Sequence, residues 1–179
     1  MIQHLTPDLI LRELQSRDAA ALASYFDALS GESKQRFQPH PLTSVEAHRI
    51  CAGLGQRNGA GEAQPQPISF GGKLSTFRLV IEDHGRIVAY FILDSNLSPH
   101  EIDRYSRVGI ALRPGVDLLF APSVLDAYQN RGVASLAMPF LLQLARARGA
   151  RSLVLMGGTQ ATNHRAIAFY EKFGRPWRG

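Results

Sequence analysis

Two short segments of the chain, residues 124–134 and 163–174, combine residue types and spacings that could do chemistry. In the first segment, an extended apolar run is followed by a loop that contains Gln129, Gly132 and Ala134. This loop leads directly into an amphipathic helix. The first four N–H groups of a helix have no partner within it, and the helix dipole adds partial positive charge there. Gly132 permits unusual backbone angles, and the small Ala134 keeps the mouth of the helix open. This segment therefore predicts an anion site that suits a pyrophosphate.

The second segment places a polar amide and a phenol around a further helix. Asn163 follows the apolar run 153–156, and side chains then recur at helical spacing at Ala166, Phe169, Tyr170 and Phe173. A phenol with an unperturbed pKa of about 10 stays protonated at neutral pH, so Tyr170 could donate a proton. Taken alone, Tyr170 fits better a half-buried helix aromatic with a packing role.

The two segments, in this order, resemble the motifs of the GNAT superfamily of acyl-CoA-dependent N-acyltransferases. In that family Q/R-x-x-G-x-G/A binds the CoA pyrophosphate, and N-x-x-A-x-x-F-Y-x-K-x-G follows the next strand. Here the first motif comprises Gln129, Gly132 and Ala134, and the second begins at Asn163. The resemblance covers residues 77–174 well. It implies an α/β fold of the GNAT type, with a mixed, partly parallel sheet flanked by helices.

The resemblance also implies the positions that bind and react. Backbone groups near Val124 would hold the acyl and pantetheine end, and Tyr170 would protonate the departing thiolate as general acid. The expected cofactor-binding residues are Val124, Gln129, Asn130, Arg131, Gly132, Val133, Ala134, Ser135 and Asn163. The implied activity is direct transfer of an acetyl group from acetyl-CoA to a primary amine, without a metal. A CoA-binding module without catalysis, used for sensing or interaction, is the alternative.

The general base and the acceptor are left open by the residues. A lysine-like amine has a pKa of about 10.4 and must lose a proton before it attacks. The candidate bases are Asp94, His100, Glu101, Asp103 and Asp126. For any single residue of 100–103 a solvated loop is the better interpretation, and the alternative for Asp126 is that it only shapes the turn before the cofactor loop. In the family the linker between the first two helices commonly borders the acceptor site, so Arg36, Phe37 and His40 are candidate contacts. A solvated turn with Phe37 anchored in the core fits the same residues equally well. The acceptor is expected to be a small-molecule or peptide amine.

Length and composition fit one soluble domain over residues 1–179, since 45% of the residues are hydrophobic and 20% are charged. No apolar run approaches the roughly 20 residues of a membrane span, and residues 1–7 lack the features of a secretory signal. We therefore expect no membrane partner and a cytoplasmic location. The single Cys51 agrees with a reducing compartment.

The formal charge of +5 and the pI near 9.8 raise the question of a nucleic-acid partner. The basic residues are spread along the chain without a dense run, and neither zinc-ligand spacing nor an RNA-binding aromatic motif accompanies them. The distribution argues against nucleic acid. A mildly basic surface also suits the polyanionic CoA.

Periodicity and turn residues predict the elements that position these groups. The predicted strands are 9–14, 77–82, 87–93, 118–125 and 153–156, and the predicted helices are 19–29, one starting near 44, 131–148 and 164–173. Asp18 is expected to cap the first helix, and Pro122 is expected to break or bulge its strand. The helix 131–148 is expected to end at Gly149 and to bury Val133, Leu136, Phe140, Leu141 and Leu144.

Two stretches lack a clear element. Residues 55–76 are rich in Gly, Pro and Gln, which predicts a mobile loop, disordered in preference to a substrate lid. After Gly174 only five residues follow, whereas the resemblance implies a further strand beside 153–156, so we expect the C-terminal strand region to be short or missing. An uncovered strand edge can recruit a second chain, which adds a homo-oligomer to the expected partners.

Overall fold

The computed structural model describes residues 2–55, 76–156, 159 and 161–174. Its strands are β1 (Ile2–His4), β2 (Leu9–Glu13), β3 (Thr76–Asp83), β4 (Arg86–Asp94), β5 (Asp117–Val124) and β6 (Ser152–Leu155). Its α-helices are α1 (Ala19–Ala28), α2 (Gly31–Arg36), α3 (Ser44–Gly55), α4 (Pro99–Ser106), α5 (Val133–Ala147) and α6 (His164–Glu171). Residues 56–75 of the expected mobile loop and residues 175–179, where a strand was expected to be short or missing, lie outside the described residues.

The six described strands form one mixed sheet in the order β1-β2-β3-β4-β5-β6. Neighbours from β1 to β5 are antiparallel, and β6 is parallel to β5. A parallel neighbour needs a long crossover, which α5 supplies between these two strands. The arrangement confirms the partly parallel sheet flanked by helices.

The sheet is buried on both faces. Successive side chains of a strand point to opposite faces, so Tyr90 and Phe91 of β4 lie on different sides. Tyr90 packs against Phe26 of α1 with ring centroids 6.0 Å apart, whereas Phe91 stacks on Phe120 of β5 at 6.4 Å. All of these rings are buried. Aromatic rings therefore pack on both faces of the sheet and stabilise its central strands.

The hairpin of β3 and β4 is confirmed, and its turn has positive φ at His84 (47°) and Gly85 (82°). Those angles match a two-residue turn of the type that suits the twist of paired strands. Three elements were missed: β1, α2 and α4. For the two helices the signal was present, because Ser30 and Ser98 each stand at the N-cap and accept from the backbone N–H three residues on.

The expected capping role of Asp18 is wrong. Its Oδ2 accepts from Arg12 Nη1 at 2.6 Å and from the Gln15 backbone N–H at 2.8 Å, and no side chain caps α1. Arg12 also pairs with Glu82 at 2.7 Å. Because Arg12 is 8% exposed, its charge needs buried carboxylates, and that demand outweighs a local cap on α1.

The break or bulge expected at Pro122 is also wrong, because the β4–β5 register runs from Ala89↔Val124 to Asp94↔Leu119 without a shift. The carbonyl of Phe120 accepts from Met156 N at 3.0 Å and so points towards β6. Alternate residues of a strand direct their backbone groups to the same side, which turns the proline nitrogen towards β6 as well. The β4 ladder therefore does not need the missing N–H.

Helix α5 begins at Val133, two residues later than expected, and continues through the exposed Pro139 to Ala147. Its end is confirmed: Gly149 has φ 78° and donates to Arg146 O, while Ala150 N donates to Ala145 O. The expected buried stripe is partly wrong, since Leu136 is 39% exposed. The fully buried positions are Val133, Ala137, Met138, Leu141 and Ala145.

Candidate active site

A cleft of about 1000 Å³ opens where β5 and β6 part. The two strands pair only from Asp117↔Ser152 to Phe120↔Leu155, and β5 continues to Val124 without a β6 partner among the described residues. The walls of the cleft come from the end of β5, the first turns of α5 and α4, and the helices α2 and α6. Residues from both predicted motifs therefore meet in one space.

Buried Asp117 joins the two strands at the start of their paired segment, at the opposite end from the cleft. Its carboxylate accepts from Arg113 N at 2.7 Å, from Arg151 Nη2 at 2.7 Å and from Ser152 Oγ at 2.6 Å. Burial alone would raise the pKa of Asp117, but the hydrogen bonds from Arg151, Ser152 and Arg113 lower it below its usual value. A charged carboxylate therefore ties the start of β5 to the start of β6.

The backbone of Val124 faces the cleft. Leu125 N donates to Val88 O of β4 at 2.9 Å, so the preceding residue directs its N–H and C=O to the opposite side. The carbonyl of Val124 accepts from Gln129 Nε2 at 2.9 Å. Its N–H points into the space that β6 has left.

The start of α5 also opens onto the cleft and has no side-chain cap. Gly132 is its N-cap with φ 77°, and the first backbone bond into the helix runs from Leu136 N to Gly132 O. The N–H groups of Val133, Ala134 and Ser135 precede that bond and have no intrahelical partner. By contrast α2, α4 and α6, which also border the cleft, are capped by side chains. An anion is the natural partner for the uncapped amides of α5.

Gln129 connects the loop before α5 to two other walls of the cleft. Its Nε2 donates to Val124 O and, at 3.2 Å, to Ser33 Oγ of α2, while its Oε1 accepts from Arg165 Nη1 of α6. Ser33 Oγ in turn donates to Asp126 Oδ1 at 2.8 Å. Partial burial would raise the pKa of Asp126, but the hydrogen bonds from Ser30 and Ser33 lower it.

Helix α6 contributes Asn163 and Tyr170 to the cleft. The Asn163 side chain caps the helix, because its Oδ1 accepts from Ala166 N at 3.2 Å. The Tyr170 ring is half-buried against Phe169, with centroids 5.1 Å apart, and its hydroxyl has no hydrogen-bond partner among the described residues. Burial, with a smaller effect of Tyr105, raises the pKa of Tyr170 well above its usual value. The phenol is therefore protonated, and its O–H is not used by any group in the described part of the chain.

Helix α4 is anchored to the end of β6. Tyr105 Oη donates to Leu155 O at 2.8 Å, and Arg104 Nη2 donates to the same carbonyl at 3.2 Å. Arg104 also pairs with Glu101, which is 8% exposed, at 2.5 Å. This connection positions Glu101 on the cleft wall and compensates its charge at the same time.

The five candidate bases differ in whether their side chains reach the cleft. Asp94 and Glu101 line the cleft, whereas His100, Asp103 and Asp126 are not among its lining residues. Asp103 is exposed and pairs with Arg107 at 2.6 Å. Asp94 accepts from Asn96 N at 2.9 Å and has no ion-pair partner among the described residues.

Only two of the three residues predicted to contact the acceptor line the cleft. Arg36 and the buried Phe37 line the cleft, and Arg36 pairs with Glu32 at 2.8 Å. His40 is not among the lining residues; its ring packs at 5.9 Å from that of Tyr90, and burial lowers the pKa of His40. Of the expected cofactor positions, Arg131 is likewise not among the lining residues.

Sequence reasoning missed Ser33, Arg165 and Lys172 as lining residues. Lys172 and Arg165 fall inside the second motif, so their charge beside a predicted anion site was a usable signal. Ser33 was missed together with α2, the helix that positions it. Within the described parts of the chain, no group of three or more metal-ligating side chains occurs, and no helix is long and apolar enough to cross a bilayer.

Comparison with known proteins identifies the class to which this cleft belongs. A family model described as acetyltransferase (GNAT) family matches residues 61–174. The chain therefore belongs to the GNAT acetyltransferase family. A search of curated protein sequences gave no match.

Solved structures share the fold at low sequence identity. The GNAT domain of S. lividans PAT has a TM-score of 0.64 and 22% identity, covering 92% of this chain and 79% of that one. The ribosomal-protein-S5-alanine acetyltransferase from Vibrio fischeri has a TM-score of 0.67 and 13% identity, covering 97% and 82%. A ribosomal L7/L12 alpha-N-protein acetyltransferase in complex with coenzyme A has a TM-score of 0.62 and 13% identity, covering 96% and 82%.

Proposed function

We propose that residues 1–179 act as a single N-acetyltransferase domain that transfers an acetyl group from acetyl-CoA to a primary amine. One observation carries the proposal: the uncapped amides of α5 and the unengaged hydroxyl of Tyr170 face the same cleft. The first feature suits a phosphate group, and the second suits a leaving group that needs a proton. Membership of the GNAT family supports the pairing of these roles.

The cleft has the groups that an acyl-CoA needs. The amides of Val133, Ala134 and Ser135 would bind the pyrophosphate, with Asn130 and Gly132 shaping the loop through their positive φ of 60° and 77°. The Val124 N–H would bind a carbonyl oxygen at the acyl or pantetheine end. Asn163 keeps its Nδ2 for the pantetheine arm, since the helix cap uses only its Oδ1.

The transfer requires two proton movements. The neutral amine attacks the thioester carbonyl carbon, a C–N bond forms, and the C–S bond breaks. Tyr170 Oη donates its proton to the departing sulfur, and the raised pKa of this phenol keeps the proton in place until then. The Val124 N–H would stabilise the charge that develops on the carbonyl oxygen.

Asp94 is our proposed acceptor of the amine proton, directly or through water. It lines the cleft at the end of β4 without an ion-pair partner in the described part of the chain. Glu101 is the weaker candidate, since Arg104 compensates its charge. The carboxylate would also attract the ammonium form of the acceptor before it loses its proton.

A peptide or protein amine is the proposed acceptor class. Two of the structural neighbours are described as acetyltransferases of ribosomal proteins, which supports this choice at the level of the fold. The cleft is open beside α2, where Gln35, Arg36 and Gln38 could flank a peptide chain. A small-molecule amine remains the second acceptor class.

The experiment is a thiol-release assay with acetyl-CoA and a matched acceptor panel. It compares peptides with a free α-amine, the same peptides with a blocked N-terminus and one lysine, and small amines. Release of CoA thiol that depends on a free peptide amine is expected. Release only with small amines would contradict the acceptor class, and CoA binding without release for any amine would favour the non-catalytic CoA-binding module.

A further inference from the structure

The side chains of Gln129 and Arg165 meet across the cleft, between the loop before α5 and the first turn of α6. Both ends of the Gln129 amide are engaged, because Nε2 donates to Val124 O and Ser33 Oγ while Oε1 accepts from Arg165. Ser33 Oγ gives its own proton to Asp126 and so can only accept from the amide. The orientation of the Gln129 amide is therefore fixed, with its oxygen presented to Arg165.

Arg165 differs from Arg36, the other arginine lining the cleft, because it has no carboxylate partner in the described ranges. Ion pairs with carboxylates within 4.0 Å are formed by Arg12, Arg36, Arg49, Arg104, Arg107 and Arg151. Arg165 contacts a neutral amide oxygen instead. A guanidinium donates stronger hydrogen bonds to a phosphate oxygen than to an amide oxygen, because donor and acceptor are then both charged.

The position of Arg165 in its helix supports the same conclusion. It is the second residue of α6, where the helix dipole disfavours a cation. Its charge lies in the same cleft as the uncapped amides of α5. An anion bound between the two helix starts would compensate both groups, whereas Gln129 compensates neither.

We propose that Arg165 is a phosphate-binding residue for the acyl-CoA, held by Gln129 until the cofactor enters. This assignment rests on the proposed function. On binding, the guanidinium leaves Gln129 Oε1 and donates to a CoA phosphate, either of the pyrophosphate or of the 3′-phosphate. The bridge across the cleft thereby opens only for a ligand that offers a better acceptor.

The test compares wild-type protein with Arg165→Gln for binding of CoA, dephospho-CoA and pantetheine, by calorimetry or, for weak binding, by NMR titration. Arg165→Gln should weaken CoA binding about 10- to 100-fold, the scale of one charge-assisted contact, and leave pantetheine binding unchanged. An equal loss with dephospho-CoA locates the contact at the pyrophosphate; a loss confined to CoA locates it at the 3′-phosphate. Arg146→Gln, an exposed charge removal outside the cleft, is the matched control and should bind CoA as wild type does.

Equal CoA affinity of Arg165→Gln and wild type would overturn the assignment. So would an equal loss for CoA and pantetheine, because that result indicates a structural role for Arg165. Failure of wild-type protein to bind CoA would overturn the proposed function and this assignment together. Binding by wild type with an unaffected Arg165→Gln would leave the proposed function standing.

Discussion

Tyr170 is the residue on which the proposed chemistry depends most directly. Tyr170→Phe removes only the hydroxyl, so turnover should fall about 10²-fold or more while the Kd for CoA stays nearly unchanged. Steady-state kinetics and calorimetry on the same preparation measure both quantities.

The matched control is Tyr105→Phe, which removes a hydroxyl bonded to Leu155 O and not among the cleft-lining residues. It should cost about 1 kcal/mol of stability and much less turnover than Tyr170→Phe. Unaltered turnover in a folded Tyr170→Phe protein would return that ring to a packing role.

Substitutions at Gly132 test the proposed phosphate site at the level of a single residue. A Cβ at this position meets no atom within 4 Å, so the cost of a side chain comes from the φ of 77° and from what the side chain carries. Gly132→Glu and Gly132→Gln share the strain and size, but only Glu places a negative charge at the proposed phosphate site. CoA affinity, measured by calorimetry at low salt, should be at least tenfold weaker for Glu than for Gln. Equal affinities for both variants and wild type would show that the phosphates bind elsewhere.

At the scale of elements, Asp117 holds together the start of the β5–β6 pair, whose other end opens into the cleft. Asp117→Asn leaves Arg151 and Ser152 without a charged acceptor and should cost about 2–3 kcal/mol. This is less than the cost of breaking a fully buried pair, because Arg151 is 47% exposed. Urea unfolding measures the change. Asp103→Asn, which removes a carboxylate from an exposed pair, should stay within about 0.5 kcal/mol. Similar losses for both variants would contradict a special role of Asp117.

The same carboxylate predicts a pH dependence. The pKa of Asp117 is lowered in the folded protein, so the unfolded chain takes up the proton first as the pH falls. Its stabilisation is complete above the unfolded pKa of about 3.9 and is lost as the pH drops through the lower folded value. Urea midpoints between pH 6 and pH 2.5 should therefore fall less steeply for Asp117→Asn than for wild type. Parallel pH profiles would contradict the prediction.

At the scale of the whole molecule, the outer edge of β6 is the feature from which we predict association between chains. In the sheet formed by the described residues, β6 pairs only with β5, and its residues Ser152–Leu155 carry no charge. An apolar unguarded edge invites pairing with another chain, so self-association is expected. Sedimentation over a concentration series measures it. A monomer at every concentration, with slow amide exchange along β6, would mean that another part of the protein covers the edge.

The sequence by itself determined the elements whose signals are local. The β3–β4 hairpin and the α5 end at Gly149 follow from turn residues and periodicity that need no distant partner, whereas the α5 start was predicted two residues early. The order of strand, long helix and strand likewise required the β5–β6 pair to be parallel. The resemblance to the family motifs also predicted Gly132 and Tyr170 in one site, and both residues line the cleft.

Only the tertiary structure decided which polar groups meet. Asp18 turned from a local cap to Arg12 because a buried guanidinium needs a carboxylate. Arg104 pairs with Glu101, so that Asp94 is the cleft carboxylate without an ion pair among the described residues. Arg165 donates to Gln129 across the cleft. Each outcome depends on a competition among partners that are far apart in the chain. Burial and distance set the strength of each interaction, and both are defined only once the sheet and helices have packed.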